Sequence, residues 1–144
     1  MTDDIQAKRQ RLQKMVETEL STPTEGVNHV AVIVLELERS VRFYTEVLGM
    51  TLTSVAPNRD EPRSTHANIA LGQGTMLSLF DFPNVTHQAV EGVGGLMHLA
   101  LSLPRQRFEK IEGSLNANKI SYERIHDSIY FKDPDGMTLE LTLS

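Results

Sequence analysis

Two histidines occupy equivalent places in a repeated stretch of the sequence. Residues 26–32 have the sequence Gly-Val-Asn-His-Val-Ala-Val and residues 95–101 have Gly-Leu-Met-His-Leu-Ala-Leu, so the glycine, histidine and alanine are identical. An offset of 69 residues between the copies indicates duplication of one structural unit. Equivalent residues of a duplicated fold converge near a pseudo-two-fold axis, where the imidazoles of His29 and His98 could bind one metal ion.

A carboxylate near the end of the chain completes a candidate ligand set. Glu140 lies between Leu139 and Leu141 in an apolar strand, and a buried charge needs a partner. Taken singly, such residues have other interpretations, because a lone histidine in a strand is more often a hydrogen-bonded core residue and a terminal glutamate usually faces solvent. Taken together, His29, His98 and Glu140 predict a site for one divalent metal ion.

The elements that position these residues are predicted from the spacing of apolar side chains. In the first half it predicts a buried strand over 27–35, a helix over 37–48 that ends at Gly49, and strands over 65–71 and 75–82. In the second half it predicts a strand over 96–103, a helix over 107–118, and strands over 120–125, 128–132 and 137–143. The repeated order predicts an α+β fold of two βαβββ modules, forming a curved mixed sheet around the metal site.

The N-terminal residues are predicted to lie outside this duplicated fold. Residues 3–20 carry a broken apolar stripe with helical spacing, and Pro23 ends it. We expect residues 1–24 to be a helical extension with a structural role and residues 25–144 to form the domain. The first module would cover about 26–85 and the second about 95–144.

The composition limits the chemistry that is available. Apolar residues make up 40% of the 144 positions and charged residues 23%, which is typical of globular proteins. The sequence contains no cysteine, which excludes disulfides, thiolate catalysis and cysteine-based zinc or iron–sulfur sites. A metal ion would therefore have to be held by histidine, aspartate or glutamate.

The charge and hydropathy of the chain argue against two classes of partner. The net charge is -5 and no basic cluster offsets it, which argues against nucleic acid and anionic membranes. No stretch approaches the ~18 uninterrupted apolar residues of a membrane span, and the acidic N-terminus lacks the apolar core of a secretory signal. We expect a soluble, cytoplasmic protein.

Two segments resemble a known superfamily. Residues 37–50, Leu-Glu-Arg-Ser-Val-Arg-Phe-Tyr-Thr-Glu-Val-Leu-Gly-Met, resemble the first helix of the vicinal oxygen chelate superfamily, which contains glyoxalase I, bleomycin-binding proteins and extradiol ring-cleaving dioxygenases. Residues 130–136, Tyr-Phe-Lys-Asp-Pro-Asp-Gly, followed by Glu140, are similar to its closing motif. The resemblance covers about residues 26–144 and is specific for the fold and the metal site.

The resemblance implies which residues hold the metal ion. In the superfamily the ligands lie on the first and last strands of each module, and His29, His98 and Glu140 match three of these four positions. The fourth position falls on Ser78, where glyoxalase-like members carry glutamate or histidine. Two histidines and one carboxylate, with other coordination positions open, are typical of non-haem Fe(II) oxygenases. Fe(II) is therefore favoured, while Mn, Zn, Ni and Co remain open.

The resemblance leaves three kinds of function open. An extradiol-type dioxygenase is favoured, with Tyr130 at the position of its active-site tyrosine and His126 as the nearest candidate for its upstream histidine. A glyoxalase- or epimerase-like lyase or isomerase needs a general base, for which His66, His126 and Asp81 are candidates. A small-molecule binding protein that confers antibiotic resistance is the third alternative, and the intact ligand set counts against it.

The expected partners are a small substrate and a second copy of the chain. The substrate would be a small molecule with vicinal oxygens, and Met76, Phe80 and Phe82 could form an apolar wall for its ring. Modules of this kind pair either within one chain or across two. His29 could therefore meet His98 of its own chain or of a partner, and we expect a homodimer.

Overall fold

The N-terminal helix is shorter than the sequence predicts. The structure is a computed structural model that describes residues 2–144, with side chains described from residue 4 onward, so the prediction for residue 1 lies outside the described residues. Helix α1 spans Thr2–Gln13, and residues 14–28 form turns and irregular structure. The predicted helix over 3–20 is therefore wrong beyond Gln13. Met15, Val16 and Leu20 are exposed. Because these side chains do not pack against the domain, nothing stabilises a continuation of the helix beyond Gln13.

The rest of the chain folds as two similar units, each with a strand, a helix and three further strands. The first unit contains β1 His29–Val34, α2 Leu37–Arg42 continued by a π-helical segment Phe43–Val47, β2 Leu52–Pro57, β3 Thr65–Gly72 and β4 Thr75–Asp81. The second unit contains β5 Leu99–Leu103, α3 Arg105–Ala117, β6 Glu123–Ile125, β7 Ser128–Lys132 and β8 Thr138–Leu143. This order confirms the α+β class and the βαβββ duplication. None of the helices in residues 2–144 has the length and apolar character needed to cross a membrane.

Each unit forms its own four-stranded sheet, with the same strand order. The order is β1-β4-β3-β2 in the first sheet and β5-β8-β7-β6 in the second, and the first and last strands of each unit are parallel. Ala31 pairs with Ser78, and Ala100 pairs with Glu140. Ser78 therefore occupies the position in the first sheet that Glu140 occupies in the second, which confirms their alignment from the sequence.

Strand β2 is the element that the sequence analysis did not locate. All of its residues are exposed, so the strand has no alternation of buried and exposed side chains that could be recognised in the sequence. It lies at the edge of the first sheet, where it pairs with β3 alone. Its pairing with β3, rather than its own apolar pattern, defines it as a strand.

The helix predicted over 37–48 is present and changes its hydrogen bonding near its end. The N–H of Leu48 donates to the carbonyl of Phe43, five residues earlier, at 3.1 Å, which is the spacing of a π-helix. The N–H of Met50 then donates to the carbonyl of Tyr44 at 2.9 Å, across Gly49. Gly49 has a φ of 71°, a conformation that favours glycine at a helix end, as its place in the sequence predicts.

One face of each sheet packs against the helices, and the opposite face, which we call the open face, does not. Helix α2 with its π-helical continuation, helix α3 and both sheets share one core, formed by Val34, Phe43, Tyr44, Leu48, Ala67, Ile69, Leu77, Leu79, Phe108, Leu115, Ile129, Phe131, Met137, Leu139 and Leu141. Strand pairing and alternation assign to the first open face His29, Ala31, Ile33, Met76, Ser78, Phe80, His66, Asn68, Ala70, Ser54 and Ala56. They assign to the second open face Ala100, Ser102, Thr138, Glu140, Thr142, Ser128, Tyr130, Lys132, Glu123 and Ile125.

The two units are joined through their helix-covered sides. Asp135, in the turn before β8, accepts a hydrogen bond from Ser40 at 3.2 Å and pairs with Arg39 at 3.1 Å. Tyr44 donates a hydrogen bond to Asp133 at 2.8 Å, and both side chains are buried. The turn over 133–136 therefore fixes the second unit on helix α2 and its π-helical continuation, and it leaves both open faces available.

Candidate metal centre

His98, Tyr130 and Glu140 lie together on the second open face. Tyr130 and Glu140 are paired across β7 and β8, and the phenol donates a hydrogen bond to the Glu140 carboxylate. The ring of His98, which directly precedes β5, meets the Tyr130 ring edge to face, with 5.8 Å between centroids. The hydrogen bond to Glu140 raises the pKa of Tyr130, so the phenol keeps its proton at neutral pH. Two predicted ligands and the predicted catalytic tyrosine are thus neighbours.

His29 lies on the first open face, at the start of β1, and its side chain is exposed. Its Nδ1 is 2.7 Å from Oδ1 of Asn28. Because an amide oxygen only accepts hydrogen bonds, Nδ1 carries the proton and the lone pair lies on Nε2. A neutral imidazole whose other nitrogen is held by a hydrogen bond is the form that ligates a metal ion.

The first open face carries a polar network where the second carries Glu140. Ser78 donates a hydrogen bond to Oδ1 of Asn68 at 2.7 Å, and Nδ2 of Asn68 donates to Ser54 at 2.9 Å. Asn68 is paired with Ser78 as Tyr130 is paired with Glu140. The buried Ser78 hydroxyl is engaged in this network, so the position offers a metal ion a poorer donor than a carboxylate.

His66 is oriented by the same network. Its Nε2 is 2.9 Å from Oδ1 of Asn68, and since the amide nitrogen is turned toward Ser54, Nε2 is the donor. In the neutral ring the lone pair then lies on Nδ1, which can accept a proton. The ring stacks on Phe80 with 4.2 Å between centroids, and Phe80 stacks on Phe82 at 6.3 Å. The first open face thus combines one oriented imidazole with an aromatic surface.

His126 lies apart from these residues. It occupies the turn between β6 and β7, is exposed, and has a φ of 52°. Four residues along the chain separate it from Tyr130, a separation of about 13 Å in an extended strand. Its place at the tip of a hairpin gives no support to a catalytic role.

Asp81, the other candidate base, lies on the opposite face of β4 from Ser78. Its carboxylate accepts a hydrogen bond from the N–H of Thr65 at 2.6 Å, away from the first open face.

An ion pair beside His98 was not found by the sequence analysis. Glu91, in the segment between the two units, accepts a hydrogen bond from Thr138 at 2.9 Å and pairs with Lys132 at 3.4 Å. These hydrogen bonds, from Thr138 first and then Lys132, lower the pKa of Glu91, and the charge of His98 contributes in the same direction. Lys132 is two residues after Tyr130 in the same strand, so the alternation of side chains along a strand could have placed it on this face. Nothing in the sequence indicates the position of Glu91.

The three predicted ligands are divided between the two open faces. Glu140 lies in the second sheet, His98 directly precedes that sheet's strand β5, and His29 lies in the first sheet. Among the described residues of one chain, no three His, Asp or Glu side chains are close enough together to hold a metal ion. The fold therefore places two of the candidate ligands on one open face and the third on the other.

Comparison with known proteins identifies the family. Residues 26–141 match the model of the Glyoxalase/Bleomycin resistance protein/Dioxygenase superfamily, and the chain belongs to this superfamily. The resemblance seen in the sequence is confirmed. Members of the superfamily are mostly enzymes that use divalent metal ions and act on small molecules.

Several curated proteins are similar to the chain. A putative ring-cleaving dioxygenase of Bacillus subtilis, MhqA, is 27% identical over 81% of this chain and 40% of its own length. The uncharacterized protein YaeR of Escherichia coli is 31% identical over 80% of this chain and 93% of its own length. The lactoylglutathione lyase GLX1 of Arabidopsis thaliana is 32% identical over 78% of this chain and 42% of its own length. The chain thus spans about two fifths of the length of the dioxygenase it matches.

Solved structures share the fold at low sequence identity. A putative dioxygenase from Bacillus subtilis superposes with a TM-score of 0.75 at 23% identity, over 86% of this chain and 42% of that one. A glyoxylase/bleomycin resistance protein/dioxygenase domain from Frankia superposes with a TM-score of 0.72 at 24% identity, over 84% and 98%. A variant of the fosfomycin resistance protein FosX from Listeria monocytogenes, complexed with Mn(II), has a TM-score of 0.62 at 17% identity, over 83% and 92%.

Proposed function

We propose that this chain is a metal-dependent dioxygenase of the extradiol type, which acts on a small molecule with vicinal oxygens. The observation that carries the proposal is the convergence of His98, Tyr130 and Glu140 on one open face. Similarity to a putative ring-cleaving dioxygenase favours the same reaction class. His29, His98 and Glu140 would hold one divalent metal ion, with Fe(II) favoured.

The donor set fits such a metal ion in its chemistry. Two imidazoles and one carboxylate leave coordination positions open to a chelating ligand. His29 already has its Nδ1 proton held by Asn28, which leaves Nε2 as the donor atom. Tyr130 fixes the orientation of Glu140 in the same way. These contacts around the ligands support a metal site made of residues from both sheets.

His29 would come from a second copy of the chain. The contacts that join the two units of one chain lie on their helix-covered sides, which leaves the first and second open faces to be closed by another molecule. Strands β1 and β5 are edge strands, and Ile33 on the first open face is 56% exposed. Exposed apolar edge strands tend to pair with another chain. A homodimer would bring His29 of one copy to His98 and Glu140 of the other.

The residues around the site have separable roles in this proposal. When bound, Fe(II) would supply the oxygen chemistry that zinc, which has no redox chemistry, lacks. Tyr130 orients Glu140 and keeps a phenol proton that it can donate to a bound substrate. The surface formed by His66 and Phe80 would pack against an aromatic ring and exclude water from it.

The shared site can be tested with a mixed dimer. One chain carries His29→Ala and the other Glu140→Ala, each with a different affinity tag, and the heterodimer is purified with both tags. Each homodimer should contain no stoichiometric Mn(II) by elemental analysis. The heterodimer should contain one ion, because one of its two sites combines an intact His29 with an intact His98 and Glu140.

Two results would contradict parts of this proposal. A heterodimer without metal, together with a metal-loaded parent, would mean that each site is assembled within one chain. Full occupancy in any of the His29→Ala, His98→Ala or Glu140→Ala homodimers would remove that residue from the site. The Ser78→Ala chain serves as the matched control, since it alters the equivalent position of the first sheet and should keep the parent's metal content.

A lyase or isomerase is the second candidate function, and His66 favours it. The hydrogen bond from Nε2 to Asn68 leaves the Nδ1 lone pair available as a general base. Similarity to a lactoylglutathione lyase supports this class as well. The two functions are separated by oxygen and metal dependence. Turnover by the zinc form under strict anaerobiosis would exclude the dioxygenase, whereas oxygen uptake with a catechol and Fe(II), but not zinc, would support it.

A further inference from the structure

The two open faces contain little permanent positive charge. Among the strand residues that the structure assigns to these faces, Lys132 is the single lysine or arginine. It lies two residues after Tyr130 and is paired with Thr138, which lies two residues before Glu140. Alternate residues on one face are about 6.6 Å apart, so Lys132 is one step along the face from the candidate metal ligand. An anionic group of a bound ligand would find its counter-charge here.

A carboxylate of the protein already occupies this position. Oε1 of Glu91 accepts a hydrogen bond from Thr138 at 2.9 Å and lies 3.4 Å from Nζ of Lys132. The ammonium group of Lys132 also donates to the hydroxyl of Thr138, so the lysine and the threonine are held together. The two side chains form a small anion-binding arrangement, and Glu91 shows that a carboxylate fits it.

Glu91 can leave this position without disturbing the sheet. It lies in the segment between the two units, and its neighbours Val90 and Val93 are exposed to 77% and 112%. The ion pair with Lys132 is itself exposed, and exposed ion pairs contribute little to stability.

We propose that Lys132 and Thr138 form a subsite for a carboxylate group of the substrate, and that Glu91 fills this subsite until the substrate displaces it. The proposal rests on the proposed function, because it places the subsite beside the metal ion that holds the vicinal oxygens. It narrows the substrate class to vicinal diols that carry a carboxylate. The Glu91 carboxylate then competes with the carboxylate of an anionic diol for Lys132 and Thr138. It weakens the binding of anionic diols more than the binding of neutral diols.

Two probes that differ by one carboxylate test the subsite. Catechol and 3,4-dihydroxybenzoate are titrated by calorimetry into the Mn(II)-loaded protein without oxygen. The parent should bind 3,4-dihydroxybenzoate about two- to fivefold more tightly than catechol, as a single exposed charge pair allows. Lys132→Met should remove this preference, and Glu91→Gln should increase it. Lys110→Met, on the exposed side of α3, is the matched control and should leave the preference unchanged.

The opposite signs of the two changes distinguish a subsite from a purely structural ion pair. If Lys132 and Glu91 only anchored the segment between the units, Lys132→Met and Glu91→Gln would change the binding of both probes in the same direction. That result would overturn the proposal. Equal binding of the two probes by the parent would overturn it as well, and would leave the metal site in place.

A measurement without metal separates this proposal from the proposed function. Benzoate, which has no vicinal oxygens, is titrated into metal-free protein while the NMR signals of the lysine side chains are followed. A benzoate-dependent shift that is lost in Lys132→Met supports the subsite, whatever the result with catechol. Failure of catechol to bind to the metal-loaded protein would count against the proposed metal site alone. No shift in the parent or in Glu91→Gln at millimolar benzoate would overturn the subsite.

Discussion

The two open faces have the same strand register but different chemistry. In the second, Glu140 is paired with Tyr130 and lies near His98, while in the first the equivalent positions hold Ser78 and Asn68. The second face therefore carries two of the candidate ligands, while the first carries His29, a neutral polar network and an aromatic surface. Duplication gave two sheets with the same strand order, and only the second has a carboxylate at this position.

The largest expected effect comes from removing the candidate carboxylate ligand of the second face. Glu140→Ala should weaken Mn(II) binding by more than about 100-fold, because it removes a charged metal ligand. Removing a residue that only hydrogen-bonds to a ligand already costs about 10- to 100-fold in metal affinity. Ser78→Ala, its counterpart, should leave the affinity unchanged. Isothermal titration with Mn(II) measures both, and equal losses would mean that the two faces contribute alike. Thermal unfolding of each variant checks that the fold is retained.

The contact that joins the two units should have the next largest effect. Tyr44→Phe removes the hydrogen bond to Asp133 and leaves a buried carboxylate without this donor. The free energy of unfolding should fall by about 1–3 kcal/mol in urea titrations. Thr45→Val, which removes a hydroxyl bonded within the helix itself, is the control. A loss in Tyr44→Phe no larger than in this control would mean that the junction contributes little to stability.

Giving the first face the ligand of the second should tighten metal binding. Ser78→Glu places a carboxylate at the position equivalent to Glu140, and we expect Mn(II) to bind about tenfold more tightly through a fourth protein donor. Oxygen uptake with catechol should fall, because one open coordination position is lost. Unchanged affinity and unchanged uptake would show that Ser78 does not face the metal ion.

The buried carboxylate at the junction predicts a smaller, pH-dependent effect. Burial raises the pKa of Asp133, although Tyr44 and two backbone N–H groups oppose this. Its contribution to stability is therefore present below the pKa of the unfolded chain and is lost as the pH rises through the higher folded pKa. The free energy of unfolding of Asp133→Asn, relative to the parent, should therefore rise between acidic and neutral pH. A fall over that range would mean that the folded pKa is depressed.

The smallest expected effect concerns the hairpin tip. His126→Gln should change neither the Mn(II) affinity nor the turnover, because the exposed turn lies about 13 Å along the strand from Tyr130. His66→Gln, within the network of the first face, is the informative comparison, and it should lower turnover in a lyase or isomerase assay. Loss of activity in His126→Gln with normal metal content would restore it as a candidate.

The features that the sequence predicted correctly depend on residues close together along the chain. Alternation placed Glu140 on one face and Leu139 on the other, and the repeat placed His29 and His98 at equivalent strand starts, because both patterns depend on local backbone geometry. Strand β2 was not located, and helix α1 was predicted seven residues too long. Both elements are exposed, so neither has a buried side whose spacing reports its true extent.

The sequence by itself determined the duplicated fold, the alignment of Ser78 with Glu140, and the residue types that could ligate a metal ion. The tertiary structure alone decided that Glu91 reaches Lys132 and Thr138, and that Asn68 sets the tautomer of His66. It also decided that one chain does not gather three ligands among its described residues. The contacts of Glu91 join side chains 41 and 47 residues apart. The tautomer of His66 depends on Ser54 of the neighbouring strand, which turns the amide of Asn68. No local periodicity encodes either arrangement.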